Sequence, residues 1–305
     1  MRRRAFGRDR GLSTRMFLTM FLLGALYVVF FIVLLQLFDL SLGAVIFIMA
    51  ALAFVQYFTS DKIALAASGA KVVTREQAPE LHAMIERLAA MADLPMPRVA
   101  IIPTDVPNAF ATGRNPKHAV VAVTRGLWQR LEPREVEGVL AHELTHVSNR
   151  DVAVMTIASF FSMLAAMLMR FGLWGGMLGG GNRSNDNNSA PVWLILFVVS
   201  LLTYVISWIL IMTISRYREY AADRGAAVIT GAPEQLMSAL QKIASDMTRI
   251  PNRDLREVAG MNAFFIVPTN VKTAAAELFM THPPLEKRIA RLSEIAREMG
   301  RPMAA

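Results

Sequence analysis

Four long apolar stretches alternate with polar ones along this chain. The first runs from Met16 to Phe38 and the second from Leu40 to Phe58. Each has close to the 20 or so residues that an α-helix needs to cross the hydrocarbon core of a bilayer. Only Asp39 and its neighbours separate them, which predicts a tight helical hairpin. A third stretch, Val152–Trp174, is interrupted by Arg170 near its end, where a long side chain can snorkel. The fourth, Val192–Ser215, is apolar apart from hydroxyl groups and carries Trp193, Tyr204 and Trp208. The first stretch is too long for the core of a cleaved leader, and no small-residue cleavage site precedes the second. Buried core helices are the alternative for the third and fourth.

The polar segments have shorter periods. Within 60–151, Gln77–Ala92 places apolar residues at helical spacing with Glu80, Glu86 and Arg87 between them, and Pro95 and Pro97 prevent its continuation. Arg98–Pro103, Asn108–Thr112 and Ala119–Thr124 read as strands, the last two split by the turn Gly113-Arg114-Asn115-Pro116, so a small sheet of about three strands is expected. Pro133-Arg134-Glu135 then opens another helix. Residues 216–305 read as helical throughout, with breaks at Gly231–Pro233, Pro251–Asn252 and His282–Pro284. Between the second pair of apolar stretches, residues 175–191 are rich in Gly, Asn and Ser and read as a flexible external loop.

Composition and charge sharpen this picture. Hydrophobic residues make up 54% of the chain and charged ones 18%, and the mean hydropathy is +0.39, all of which favour a membrane protein. The formal net charge is +8. Arg2, Arg3, Arg4, Arg8, Arg10 and Arg15 precede the first apolar stretch, which marks a topology signal rather than a nucleic-acid surface. Further basic residues follow the second stretch (Lys62, Lys71, Arg75) and the fourth (Arg216, Arg218, Arg224), whereas the 175–191 loop has Arg183 alone. The bias predicts four membrane helices with both termini and both polar segments in the cytoplasm. The chain has no cysteine, so a metal site must use nitrogen and oxygen ligands.

Candidate chemistry begins at His142-Glu143-Leu144-Thr145-His146. Histidines four apart on a helix project from one side, one turn apart, which suits two ligands of a tetrahedral zinc. Glu143 follows the first, where its carboxylate can reach water at the metal and take its proton as the water attacks a peptide carbonyl. The preceding run Val136–Ala141 makes this helix largely buried, which argues against a solvated surface pair. Glu219 and Asp223 form a second pair four apart. Glu219 can complete a His2Glu set, and Asp223 can accept the free imidazole N–H of a ligand histidine. Two apolar stretches between the pairs return the chain to one membrane face, as a shared metal requires. His146 precedes the third stretch by about six residues, roughly 9 Å along a helix, so the site is expected close to the membrane surface.

These motifs resemble the HtpX family of membrane zinc metallopeptidases, relatives of the prenyl-protein (CAAX) proteases. The likeness rests on His142–Asp151, Ser215–Asp223, Asn108-Ala109-Phe110-Ala111 and Thr281-His282-Pro283-Pro284, together with the four-stretch layout and basic N-terminus. It implies a zincin-like catalytic domain with His142, His146 and Glu219 as zinc ligands and Glu143 as general base. By the same similarity His282 stabilises the oxyanion of the tetrahedral intermediate. Asn108, Ala109, Phe110 and Ala111 supply the sheet edge that binds substrate as an added strand.

The expectation is a mainly α membrane protein with an α+β catalytic domain split over 60–151 and 216–305. A basic segment 1–15 and helical hairpins at 16–59 and 152–215 make up the rest. The function expected is that of a zinc endopeptidase, one ion per chain, in a bacterial inner membrane. Its substrates would be misfolded or damaged membrane proteins and other unfolded polypeptides, cleaved on the cytoplasmic side, a quality-control role that the resemblance alone implies. A site-specific processing protease and a non-catalytic receptor or transporter with a zinc site are the alternatives.

Overall fold

The computed structural model describes residues 10–38, 41–179, 189–247, 249 and 282–300. Outside them lie most of the basic N-terminus, Asp39, residues 180–188 of the expected external loop, the expected break at Pro251–Asn252, and Thr281. The described residues form helices α1 (Arg10–Phe38), α2 (Leu42–Ser68), α3 (Pro79–Met91), α4 (Arg125–Arg130), α5 (Pro133–Asn149), α6 (Asp151–Gly179), α7 (Ser189–Thr230), α8 (Pro233–Met247) and α9 (Leu285–Glu298). Strands are β1 (Lys71–Val72), β2 (Arg98–Ile102), β3 (Ala109–Thr112) and β4 (Val120–Thr124). The expectation of a mainly helical protein with a small sheet therefore holds.

Among the described residues, Gly11–Leu37, Asp151–Trp174 and Val192–Thr230 are long and apolar enough to cross a membrane by length and composition. The helices outrun the apolar stretches. α2 passes through Asp61 and Lys62 and ends only at Gly69, whose φ of 65° is left-handed. α7 likewise runs on through Arg216–Thr230 to Gly231, with φ 64°, after which Pro233 opens α8. A helix needs only its backbone ladder, so charge changes its surroundings without ending it, whereas a left-handed glycine stops it. Within the expected loop 175–191, α6 continues to Gly179 and α7 already starts at Ser189.

The chain divides into two compact units. One comprises Arg10–Tyr57 and Met155–Ile214. Inside it, Leu23, Tyr27, Ala158, Ile211 and Ile214 pack in one cluster and Phe30, Leu34, Ala165 and Leu196 in another. Tyr27 donates to the Ala158 carbonyl at 3.0 Å, and Gln56 Nε2 donates to the Thr156 carbonyl at 3.2 Å. A Cβ on Gly172 would come within 2.8 Å of Phe197 N, so the absent side chain sets how closely α6 and α7 approach. Phe17, Phe21, Phe47, Phe54, Leu194 and Leu202 are exposed, giving the outer surface an apolar character suited to lipid.

The other unit contains Phe58–Val154 and the chain from Ser215 onward. Its sheet has the order β1-β2-β4-β3, with β2 and β4 parallel and the outer pairs antiparallel. The fourth strand, β1, escapes the periodicity reading because two exposed residues after a turn show no alternation. β2 stops at Ile102 because Pro103 has no N–H, and β3 begins at Ala109. Asn108 is instead locked to Thr124: its N–H donates to Oγ1 at 2.8 Å, and its carbonyl accepts from the Thr124 N–H at 2.9 Å. The core lies between this sheet, α3, α5 and α8, through Ile85, Leu88, Val121, Leu127, Leu140, Leu144, Leu240 and Ile243. Gly138 on α5 allows α8 close, since a Cβ there would meet Leu236 N at 2.8 Å.

Glu135 ties the start of α5 to α8. It accepts from the Glu132 N–H at 2.8 Å and from Ser238 Oγ at 2.6 Å, and Lys242 Nζ lies 2.7 Å away. Burial raises this carboxyl, but Lys242, Ser238 and the Glu132 N–H outweigh burial and hold it below its ordinary 4.5. A lowered folded-state value means stability that is present above the unfolded value and lost as pH falls through the folded one. Glu135→Gln should therefore cost about 1 kcal/mol near neutral pH. In thermal melts of the detergent-solubilised protein, the gap between parent and variant should close as pH drops below 4.5; a constant gap would remove this role from Glu135.

Candidate metal centre

α5 carries His142, Glu143 and His146 into the interior, with His142 and Glu143 only 2% and 5% exposed. A capping box of Glu132 and Glu135 fixes its first turn, and Pro133 occupies the first helical position. α7 brings Glu219 and Asp223 alongside. Gly225 makes that approach possible, because a Cβ there would lie 2.2 Å from Thr145 Cγ2, within the His142–His146 turn.

The ligand atoms converge. His142 Nε2 and His146 Nε2 are 3.1 Å apart. Glu219 Oε2 lies 3.5 Å from His142 Nε2, and Glu219 Oε1 lies 3.4 Å from His146 Nε2. Ligands about 2.0–2.2 Å from a tetrahedral zinc stand roughly 3.3–3.5 Å from one another. The set His142, His146 and Glu219 is thus spaced for one metal ion. Two further observations fit a cation there. Glu219 Oε2 is buried and no well-aligned hydrogen bond ends on it, although His282 Nδ1 stands 3.0 Å and Arg288 Nη1 3.5 Å away, and the two imidazole nitrogens face each other across the same small space. The carboxylates of Glu143, Asp151, Glu219 and Asp223 are buried here, with the guanidiniums of Arg218 and Arg288.

Each histidine has a carboxylate behind it. His142 Nδ1 lies 3.0 Å from Asp223 Oδ1, as the spacing of Glu219 and Asp223 led us to expect. His146 Nδ1 lies 2.6 Å from Asp151 Oδ2. Burial alone would lower both imidazoles, but Asp223 and Glu219 outweigh it at His142, and Asp151 with Glu219 pushes His146 up to about 10. Burial raises the Glu143 carboxyl. Its Oε2 accepts the Ala111 N–H at 2.9 Å, so the edge strand β3 adjoins it. His282, just before α9, places Nδ1 3.0 Å from Glu219 Oε2.

The structure therefore brings His142, Glu143, His146, Glu219, Asp223, His282 and Ala111 together. Ala109 and Phe110 lie on the same edge strand, with Asn108 fully buried at its start. Three charged residues escaped the sequence reading. Arg288 on α9 donates to Asp223 through Nε at 3.0 Å and Nη2 at 2.6 Å, and its Nη1 lies 3.5 Å from Glu219 Oε2. Asp151 and Arg218 form the second pair, with Arg218 Nε 2.9 Å from Asp151 Oδ1. Nothing local marks Arg288, a basic residue on a polar helix. Asp151 stood in the quoted motif, but its five-residue offset from His146 is not a helical spacing.

Comparison with known proteins agrees with this geometry. The family model for peptidase family M48 matches residues 75–296. The chain is 53% identical to a protease HtpX homolog of Moorella thermoacetica, over 97% of this chain and 98% of the relative. It is 52% identical to protease HtpX homolog 2 of Methanosarcina mazei, over 98% of this chain and 100% of that one. In fold it is similar to the crystal structure of S. mikatae Ste24p, with a TM-score of 0.56 at 19% identity, covering 93% of this chain and 67% of that one. The resemblance that the motifs suggested holds: this chain belongs to peptidase family M48 and is an HtpX-type integral-membrane metalloprotease.

Proposed function

We propose that this protein is a zinc endopeptidase that holds one ion through His142, His146 and Glu219 and uses Glu143 as general base. The observation that carries the reading is the convergence of His142 Nε2 and His146 Nε2, 3.1 Å apart, on the Glu219 carboxylate, whose two oxygens lie 3.5 and 3.4 Å from them respectively. Bound there, zinc would supply Lewis acidity towards a peptide carbonyl and bring water into the neutral ionisation range. Glu143 accepts the proton of the attacking water and passes it to the leaving amine nitrogen. The Ala111 N–H holds that carboxylate in place. Asp223 orients His142. His282 stabilises the developing oxyanion; its position beside Glu219 supports that role.

Substrate binds as a strand along β3, beginning at the partly exposed Ala111. The Ala111 N–H points to Glu143 rather than to β4, and by alternation the main-chain groups of Ala109 also face away from β4. Recognition through main-chain groups selects for extended chain rather than for particular side chains. This suits misfolded or damaged membrane proteins as substrates, in quality control and stress response. The protein has four spans in a bacterial inner membrane, with the catalytic residues and both termini cytoplasmic. The absence of charge between Leu42 and Ser60 of α2 supports the fourth span, and the basic residues flanking the stretches support the orientation.

Glu143→Gln should keep stoichiometric zinc but reduce cleavage of an unfolded membrane-anchored substrate at least about a hundredfold, the scale of a lost general base. Retained activity would overturn the mechanism. Glu219→Ala should lower zinc content, read by atomic absorption after dialysis; unchanged metal would require a different third ligand. Because the chain has no cysteine, single cysteines report orientation directly. Glu80→Cys, at an exposed position on α3, should react with a membrane-impermeant maleimide only after the cytoplasmic face is opened, and labelling of intact cells would reverse the assignment.

A further inference from the structure

We infer that Asp151 and Arg218 form a positioning pair for His146. This rests on the reading of His146 as a zinc ligand. On an unbroken helix a residue five beyond His146 would sit about 140° around the axis and could not reach its ring. The chain avoids this at Arg150, which caps α5 in the left-handed conformation, with φ 58° and ψ 34°. Arginine seldom adopts that region, because its Cβ crowds the backbone there. The turn is closed by the Arg150 N–H on the Val147 carbonyl at 3.1 Å. It brings Asp151, the first residue of α6, back under His146, whose Nδ1 lies 2.6 Å from Oδ2.

The second carboxylate oxygen is matched separately: Arg218 Nε lies 2.9 Å from Oδ1. Both partners are buried, Asp151 at 3% exposure and Arg218 at 7%. The arrangement repeats the chain of His142, Asp223 and Arg288, with the guanidinium drawn from a different element. Its chemical consequence is specific. The carboxylate keeps the proton of His146 on Nδ1, which directs the Nε2 lone pair towards His142 Nε2 and Glu219 Oε1. The guanidinium balances the carboxylate, so no uncompensated charge stays buried behind the ligand. Arg218 also precedes Glu219 in α7, and the pair therefore ties the third-ligand helix to the end of the histidine helix.

Zinc affinity measured by chelator competition on the full-length, metal-stripped protein in detergent tests this. Asp151→Asn, nearly isosteric, should weaken zinc binding 10- to 100-fold and shift the visible spectrum of the cobalt(II) form. Arg218→Gln should also weaken binding, and Arg218→Lys should restore most of it. The double variant Asp151→Asn/Arg218→Gln leaves neither charge alone, so it should bind zinc no more weakly than Asp151→Asn. It also carries the test if either single variant fails to fold. Parent-like affinity and cobalt spectrum in the variants would overturn the inference, as would losses that multiply in the double variant. A parent chain that binds no zinc would instead overturn the metal-site reading itself.

Discussion

A carboxylate enclosed by imidazoles governs how the catalytic unit is built. Glu219 is 5% exposed, and charges removed from water cost several kcal/mol each unless opposite charges meet them. The surrounding elements meet that demand. α9 contributes Arg288, which reaches both Glu219 and Asp223. A further buried carboxylate, Asp151 at the turn after Arg150, is met in turn by Arg218 of α7. Close packing is part of the same solution, because charges compensate only at short range. Gly225 lets α7 settle against Thr145, and Gly138 lets α8 settle against α5.

The helical unit faces the opposite problem. Lipid offers no hydrogen bonds, so its backbone must satisfy itself within helices, and some of its polar side chains bind across helices. Tyr27 reaches a carbonyl of α6, as does Gln56 from α2. Where helices come close, small residues such as Gly172 and Ala165 stand at the contact. Electrostatics organises one unit and steric fit the other.

This difference explains what could be read from the sequence. Apolar stretches announce their helices, and the i, i+4 spacing announces both the His142–His146 and the Glu219–Asp223 pairs, because each is a property of one helix. The lengths of α2 and α7 were less legible, since a helix carries on through charge until a left-handed glycine stops it. β1 is too short to show a period. Arg288 and Arg218 were not legible at all: an arginine that pairs with a residue far along the chain has the same local pattern as one facing water. Asp151 stood in the quoted motif without a role, because only the backbone conformation of Arg150 returns it to His146.

The distribution of arginines also separates roles within the centre. Asp151 pairs with Arg218, Asp223 with Arg288, and Glu219 lies 3.5 Å from Arg288. Among the described residues Glu143 alone of the four carboxylates has no cation of lysine or arginine in ion-pair range. Its partner is the neutral Ala111 N–H at 2.9 Å, and burial raises its carboxyl. A guanidinium stabilises the ionised form of a carboxylate and opposes its protonation. That suits the orienting and ligating roles proposed for the other three, which need one charge state throughout a turnover. It would hinder a group that must take up a proton and release it. Arginine thus stands in ion-pair range of three of these carboxylates and, among the described residues, not of Glu143, the one whose proposed work consists of changing charge.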